Sequence, residues 1–579
     1  MASRSSWKSA IQEARNHDDS KFRNMNKYTA LLLLASLTSL FAAESFPERR
    51  ADYHGFALCE VPVGSCSAQV LIPCKPAAGR PWVIASSLYA LDSEPVANMA
   101  RTQLELVKQG FHVVAISPGA ILGAPDPEKR WDAAYRLMTE RYILSHEVVL
   151  MGLSREGLPV LRWAAENPGK VSCLYLDKAV CDFKSWPGGK LGKGKGSPKD
   201  WEQLLKVYGF ANESEAMAYS GNPVDLTEKL AAARVGIIYV AGAEDDVVPF
   251  SENGAVLQKF YESKGLFFRL MMRPKEGHHP HGLSDPAEIV RFIRMNTYAV
   301  PPTRQLVAYG PHYSQVLDFW KTDSPLPTPV VIYIHGGGWN QGTRRDVGGL
   351  EDYLKAGISV VAVDYRFIAQ ANAEGLLPPV RGPMHDAARA LQFVRTKAVE
   401  WGLRTDRIGL TGGSAGACSS LWLAFHKDLA DAASADPVAR QSTRPYCVAV
   451  QVPQTTLDPQ QMKEWTPNSR YGGHAFGVKG GFAAFLEQRE SLLPWISEYS
   501  PYALATADAP PVYLNFNDAP NVGHEQKDPT HTANFGVKLQ ERLRQLNVPC
   551  ELVYPGAPDV KHERVIDYLI EKLKESAGK

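Results

Sequence analysis

Two glycine-rich turns in the second half of the chain, each at the end of an apolar run, restrict its fold more than any other feature. Val330 to Ile334 leads into His335-Gly336-Gly337-Gly338-Trp339, and Ile408-Gly409-Leu410-Thr411 leads into Gly412-Gly413-Ser414-Ala415-Gly416. A G-x-S-x-G between an apolar run and a helical pattern (Ala417 to Phe425) predicts a nucleophile elbow, a strained strand-to-helix turn with room only for small neighbours. The glycines upstream let backbone N–H groups approach a developing oxyanion with no Cβ in the way. Each motif alone is weak. In this order, each at a strand end, they point to acyl chemistry at a serine.

With Asp364-Tyr365-Arg366 and Asp386, these segments resemble the α/β-hydrolase esterases of the hormone-sensitive-lipase and BD-FAE-like group, over residues 300 to 579. The chain of 579 residues is too long for one ordinary core and predicts two domains. With 45% apolar and 22% charged residues it has the composition of an ordinary globular protein. Its 63 Lys and Arg balance 62 Asp and Glu, which gives no reason to expect nucleic acid or an anionic membrane as partner. The basic, glycine-rich run Lys184 to Lys199 reads as a solvated loop.

The amino end reads as an address. Lys21, Arg23 and Lys27 precede an uncharged run from Tyr28 to Ala43, with Ala42 and Ala43 before Glu44, the pattern of a secretory signal peptide. Residues 1–45 are therefore expected to be a signal region, with Met25 at the expected start, and the mature protein to be exported to the periplasm or outside the cell. The run is too short for a comfortable membrane span, so no stable span is expected after its removal. Eight cysteines lack metal-ligand spacing, and export permits disulfides without demanding them.

From Phe46 to Thr297 strands and helices alternate: Cys59 to Val63 and Ala68 to Ile72 as a hairpin, then Trp82 to Ala85, Val113 to Ile116, Val148 to Met151, Cys173 to Leu176 and Gly236 to Val240 as buried strands. Val300-Pro301-Pro302 reads as a linker, after which the alternation restarts with Val330 to Ile334, Ile358 to Val363, Ile408 to Thr411, Val448 to Val452 and Val512 to Phe516. The expected architecture is α/β: two tandem α/β-hydrolase domains, 46–299 and 300–579, each a mostly parallel sheet with helices on both faces. The first half resembles a divergent hydrolase, with Ser154, Asp245 and His278 in the Ser, Asp, His chain order. Glu156, however, occupies the small-residue position of its elbow, where its side chain is expected to crowd the tight turn and place negative charge near a developing oxyanion, and Ala85-Ser86-Ser87-Leu88-Tyr89 replaces a glycine loop. This half is expected to contribute little or no turnover and to serve as a binding or structural module.

In the second half the acid is expected just beyond Val512 to Phe516. Asp528, in Asp528-Pro529-Thr530-His531, is preferred to Asp518, partly because the spacing from Asp528 to His562 nearly equals that from Asp245 to His278. His562, between the last strand (Glu551 to Tyr554) and the closing helix, is expected to be the general base, with His531 as its rival. The expected site is Ser414, His562 and Asp528, with an oxyanion hole of Gly336, Gly337 and Ala415, no cofactor and no metal. His335 is expected to be structural. The insertion from Glu464 to Trp495, with Trp465 and Tyr471, reads as a cap. The resemblance reaches exported esterases that deacylate polysaccharides, which implies a serine carboxylesterase acting on acetyl or feruloyl esters of small-molecule or polysaccharide substrates. A lipase or general esterase is the alternative.

Overall fold

The computed structural model describes residues 45–47, 51–117, 122, 128–345 and 347–575. The expected signal region, including Met25, lies outside the described residues apart from its last position. Among the described residues no helix is long and apolar enough to cross a membrane. All eight cysteines are free of disulfide bonds.

Among the described residues seventeen strands form two sheets. The first contains β1 (Ala51–Tyr53), β2 (Phe56–Val63), β3 (Cys66–Ile72), β4 (Trp82–Ala85), β5 (His112–Ala115), β6 (Val148–Leu153), β7 (Val171–Asp177), β8 (Gly236–Gly242) and β9 (Phe268–Arg273). The second contains β10 (Arg304–Ala308), β11 (Val316–Trp320), β12 (Thr328–Ile334), β13 (Ser359–Val363), β14 (Leu403–Gly413), β15 (Cys447–Gln451), β16 (Val512–Asn515) and β17 (Cys550–Val553). Their orders are β1-β2-β3-β5-β4-β6-β7-β8-β9 and β10-β11-β13-β12-β14-β15-β16-β17. Setting β1 aside, the two orders are the same, and from β5 or β13 onward every pairing is parallel. This is the α/β-hydrolase arrangement, present twice.

The central strands are short Val, Ile and Leu runs because parallel strands between helical layers are buried on both faces. Successive side chains of a strand point to opposite faces, and the core divides accordingly. Val330, Ile332 and Ile334 pack with Leu391, Leu421 and Leu539, whereas Val331 packs on the other face with Tyr353, Leu569 and Leu573. In the first sheet Ile84 and Leu150 share a face with Leu161 and Leu257, and Val83 and Val149 share the opposite face with Leu104 and Ile293. The register then positions the site. Val330 pairs with Ile408 and Ile334 with Gly412, so β12 and β14 end side by side and deliver the His335 loop beside Ser414.

The predicted linker is pinned rather than free, since Trp320 Nε1 donates to Val300 O at 2.7 Å. The two sheets are joined by buried charge. Arg345 pairs with Glu147 at 2.7 Å and donates to Asn296 O at 2.8 Å, and its guanidinium lies 4.4 Å from the centre of the Tyr298 ring. Arg234 of the first half reaches Asp364 of the second at 3.1 Å. Asp364 also receives Arg344 at 2.7 Å through both its backbone N–H and its guanidinium, and Arg344 pairs in turn with Asp318 at 2.8 Å.

Burial alone would raise the Asp364 carboxyl, but the charges of Arg344, Arg234 and His335 hold it down to about 2. A carboxyl depressed on folding adds stability above its unfolded pKa of about 4 and loses it as pH falls toward its folded value. Asp364→Asn is therefore expected to destabilise the protein by roughly 3–5 kcal/mol, because it takes the carboxylate from buried Arg234 and leaves Arg344 with Asp318 alone. Urea unfolding at neutral pH measures the loss, and the variant should also show a shallower fall in stability between about pH 4 and pH 2.

Candidate active site

Ser414 stands between β14 and the wholly buried helix Ala415–Phe425, with φ 53° and ψ −121°. That left-handed kink is costly for a residue with a Cβ and is held from both sides. The Ser414 N–H donates to Gln451 O at 3.0 Å, and the Cys418 N–H donates to Ser414 O at 2.9 Å. Gly416 has to be glycine: a Cβ there would sit 2.0 Å from Ile334 O and 2.6 Å from His335 O. This close approach brings the His335 loop onto the elbow, and a Cβ on Gly336 would lie 3.5 Å from the Ser414 Cβ.

The motif residues around the loop act as its scaffold. The His335 ring stacks on Tyr365 at 4.2 Å, and its Nδ1–H donates to Gly336 O at 2.8 Å. Tyr365 donates its hydroxyl to His335 O at 2.7 Å. Arg366 clamps Asp386 through Nε at 2.9 Å and Nη2 at 2.6 Å. Gly337 (φ 96°) turns the loop, and Trp339, fully buried, donates Nε1–H to Ser419 Oγ at 3.0 Å. Trp339 and Trp465 are thus packing residues. Tyr471 is partly buried, with its ring 6.3 Å from Trp339. The insertion from Glu464 to Trp495 folds into short helices, Gly481–Glu487 and part of Arg489–Tyr499 among them.

The histidine at Ser414 is His531, not His562. Ser414 Oγ lies 2.9 Å from His531 Nε2, and His531 Nδ1 lies 2.8 Å from Asp528 Oδ2. The Asp528 Oδ1 accepts the Thr530 N–H at 3.1 Å, which orients the carboxylate. Burial raises the Asp528 carboxyl, but the hydrogen bond and charge of His531 outweigh it and the net direction is down. Asp518 is exposed on the turn after β16. His562 is held at the β17 edge, 2.8 Å from Glu551 Oε2 through Nδ1 and 3.0 Å from Glu571 Oε2 through Nε2. With both ring nitrogens engaged by carboxylates it fastens the closing helix Val565–Lys574 to the last strand. Position in the chain favoured His562; the long segment after β16, which returns His531 across the elbow, overrode it.

The first half contains the same constellation. Ser154 has φ 48°, its Oγ lies 2.9 Å from His278 Nε2, and His278 Nδ1 lies 2.9 Å from Asp245 Oδ2. The predicted crowding by Glu156 is absent. Its carboxylate accepts the Tyr89 hydroxyl at 2.7 Å and the Leu153 N–H at 3.2 Å, and burial pushes its pKa up to about 6. Here Gly157, one residue on, takes the tight contact, where a Cβ would meet Val180 O at 2.5 Å.

Among curated proteins, the chain is 28% identical over 157 residues to the probable isoprenylcysteine alpha-carbonyl methylesterase ICMEL1 of Arabidopsis thaliana, covering 26% of this chain and 32% of that protein. It is 32% identical over 119 residues to esterase LipC of Mycobacterium tuberculosis, covering 20% of this chain and 27% of that protein. The chain thus spans about a third or less of the length of these relatives. Among solved structures, an acetyl ester-xyloside bifunctional hydrolase from Caldicellulosiruptor lactoaceticus is 22% identical with a TM-score of 0.33, covering 45% of this chain and 85% of that one. A truncated carbohydrate esterase from gut microbiota is 17% identical with a TM-score of 0.36, covering 47% and 96%. Residues 317–540, a span that contains Ser414, Asp528 and His531 and ends short of His562, match the BD-FAE family model.

Proposed function

We propose that the second half is a serine esterase in which Ser414 is the nucleophile, His531 the general base and Asp528 the acid that orients it. The observation that carries this reading is the unbroken hydrogen-bonded line from Ser414 Oγ through His531 to Asp528 on a left-handed elbow beside a glycine loop. The Asp528 carboxylate accepts Nδ1–H and so leaves Nε2 as the base. Ser414 Oγ attacks the ester carbonyl and gives its proton to Nε2, and the same proton passes to the departing alcohol. Water then cleaves the acyl-enzyme by the reverse transfers. The tetrahedral oxyanion is received by backbone N–H groups of Ala415, which opens a helix and so has no intrahelical acceptor, and of Gly336 and Gly337.

The substrates we propose are acetyl or feruloyl esters of carbohydrates. Two things support this choice. The matched family model lies over the triad, and the triad is open, with the side chains of His531 and Asp528 exposed to 33% and 48%. An open base and acid suit an alcohol portion too large to be enclosed, such as a sugar chain.

Measured in a Ser154→Ala background, so that the other serine on a strained turn adds nothing, Ser414→Ala is expected to lower kcat on p-nitrophenyl acetate by roughly 10⁴-fold or more, since binding and the oxyanion hole leave only a small residual rate. Across acetate, butyrate, palmitate and methyl ferulate, the short and aromatic acyl groups should be preferred. Preference for palmitate would replace this substrate class with lipid esters.

The second expectation ranks the alternatives. His531→Ala and Asp528→Asn should each lower kcat by roughly 10²- to 10⁴-fold, while His562→Gln and Asp518→Asn should leave it within a few-fold of wild type. The reverse ranking in steady-state kinetics would return the base to the loop after β17.

A further inference from the structure

We infer that the first half holds a second, independent serine hydrolase site, with Ser154 as nucleophile, His278 as base and Asp245 as orienting acid, acting on an ester carbonyl. The match to the family model begins only at residue 317, well after this site, which is built on the loops that follow β6, β8 and β9. Ser154 follows β6 with the same sign of backbone kink as Ser414, φ 48° against 53°. An L residue keeps such a conformation only where its surroundings impose it. The Val180 N–H donates to Ser154 O at 2.8 Å and helps to do so.

The acid and base are held more tightly here than in the second half. Asp245 Oδ1 accepts the N–H groups of Val247 at 3.0 Å and Val248 at 2.8 Å, which directs Oδ2 to His278. The side chains of His278 and Asp245 are 8% and 1% exposed, against 33% and 48% for His531 and Asp528. A buried, doubly anchored carboxylate fixes the imidazole tautomer more firmly than an exposed one. The neighbouring charges are organised too. Asp177, at the end of β7, holds His281 at 2.8 Å, and the buried Lys178 donates Nζ–H to Pro280 O, so the loop is fastened just beyond His278 and His279.

Glu156 supports rather than blocks the turn. In the second half a glycine lets the loop after β12 press its carbonyls against the elbow. In the first half the Glu156 carboxylate itself reaches the loop after β4, where it accepts the Tyr89 hydroxyl. The far side of that loop is held by Gln103, which accepts the Tyr89 N–H at 3.0 Å and donates to Ser87 O at 2.9 Å. Glu156 and Tyr89 are accordingly positioning residues for the loop that faces the nucleophile.

The step is balanced as in any acyl transfer. The Ser154 Oγ–C bond forms as its proton moves to His278 Nε2. The ester C–O bond breaks with that proton going to the alkoxide, and water then releases the acid. With a fluorophosphonate in place of the ester, an Oγ–P bond forms, fluoride leaves and the proton is lost through His278 to solvent.

The test uses the full chain with a small alkyl fluorophosphonate, read by intact mass and peptide mapping, in wild type, Ser414→Ala, Ser154→Ala and the double variant. We expect two adducts on wild type, one on each single variant, with Ser154 carrying the one on Ser414→Ala, and none on the double variant. Residual p-nitrophenyl acetate hydrolysis by Ser414→Ala should fall at least tenfold on adding Ser154→Ala. The Ser414 adduct on Ser154→Ala shows that the chain is folded. One adduct on wild type, at Ser414, with none on Ser414→Ala, would overturn the inference and leave the proposed esterase untouched. Labelling of Ser154 without Ser414 would uphold it and overturn the other.

Discussion

The carboxylate of Asp364 ties the two halves of the chain to one another and to the turn that carries Arg344. It is buried, it receives Arg344 twice, and it takes Arg234 from the other half of the chain. A lone carboxylate in that position would be untenable, and without it Arg234 would keep its charge buried with no carboxylate partner. The loop that faces the nucleophile hangs from the same point. Tyr365, the next residue, holds His335 O, and Arg366, the one after, is locked to Asp386. The seam between the halves and the oxyanion loop are thus anchored on three consecutive residues.

Much of this was legible in the sequence, for identifiable reasons. Buried parallel strands centre on short apolar runs, so β4, β6, β8, β12 and the end of β14 stood out, and strand-end glycines marked the elbow and its loop. The missed strands had weaker signatures. β9 is half exposed and mixes Arg with Met, and β10 is an edge strand. β11 is wholly buried but carries Asp318 at its centre, a residue that breaks an apolar run until its partners Arg344 and Tyr298 are seen in space.

The histidine misreading has a different origin. Chain position places a base after the last strand, and His562 stands there with good reason, since two glutamates use it to close the sheet edge. Which histidine reaches Ser414 depends on the path of the segment from Phe516 to Thr532, which periodicity does not encode. Glu156 was misjudged in the same way. A long carboxylate at a small-residue position looks like a clash, and only its hydrogen bond to Tyr89, together with the shift of the tight contact to Gly157, makes it a brace.

Asp528 and His531 lie three residues apart on one surface turn, joined at 2.8 Å. On the proposed reading base and acid form a single cassette. Any movement of the turn would carry the pair away from Ser414 intact, so the imidazole would keep its tautomer while Ser414 lost its proton acceptor. The loop after β17 then keeps only a structural duty, since His562 ties the closing helix to the last strand. The turn from Lys527 to Thr532 would carry the proposed proton handling in a segment short enough to be moved as a unit.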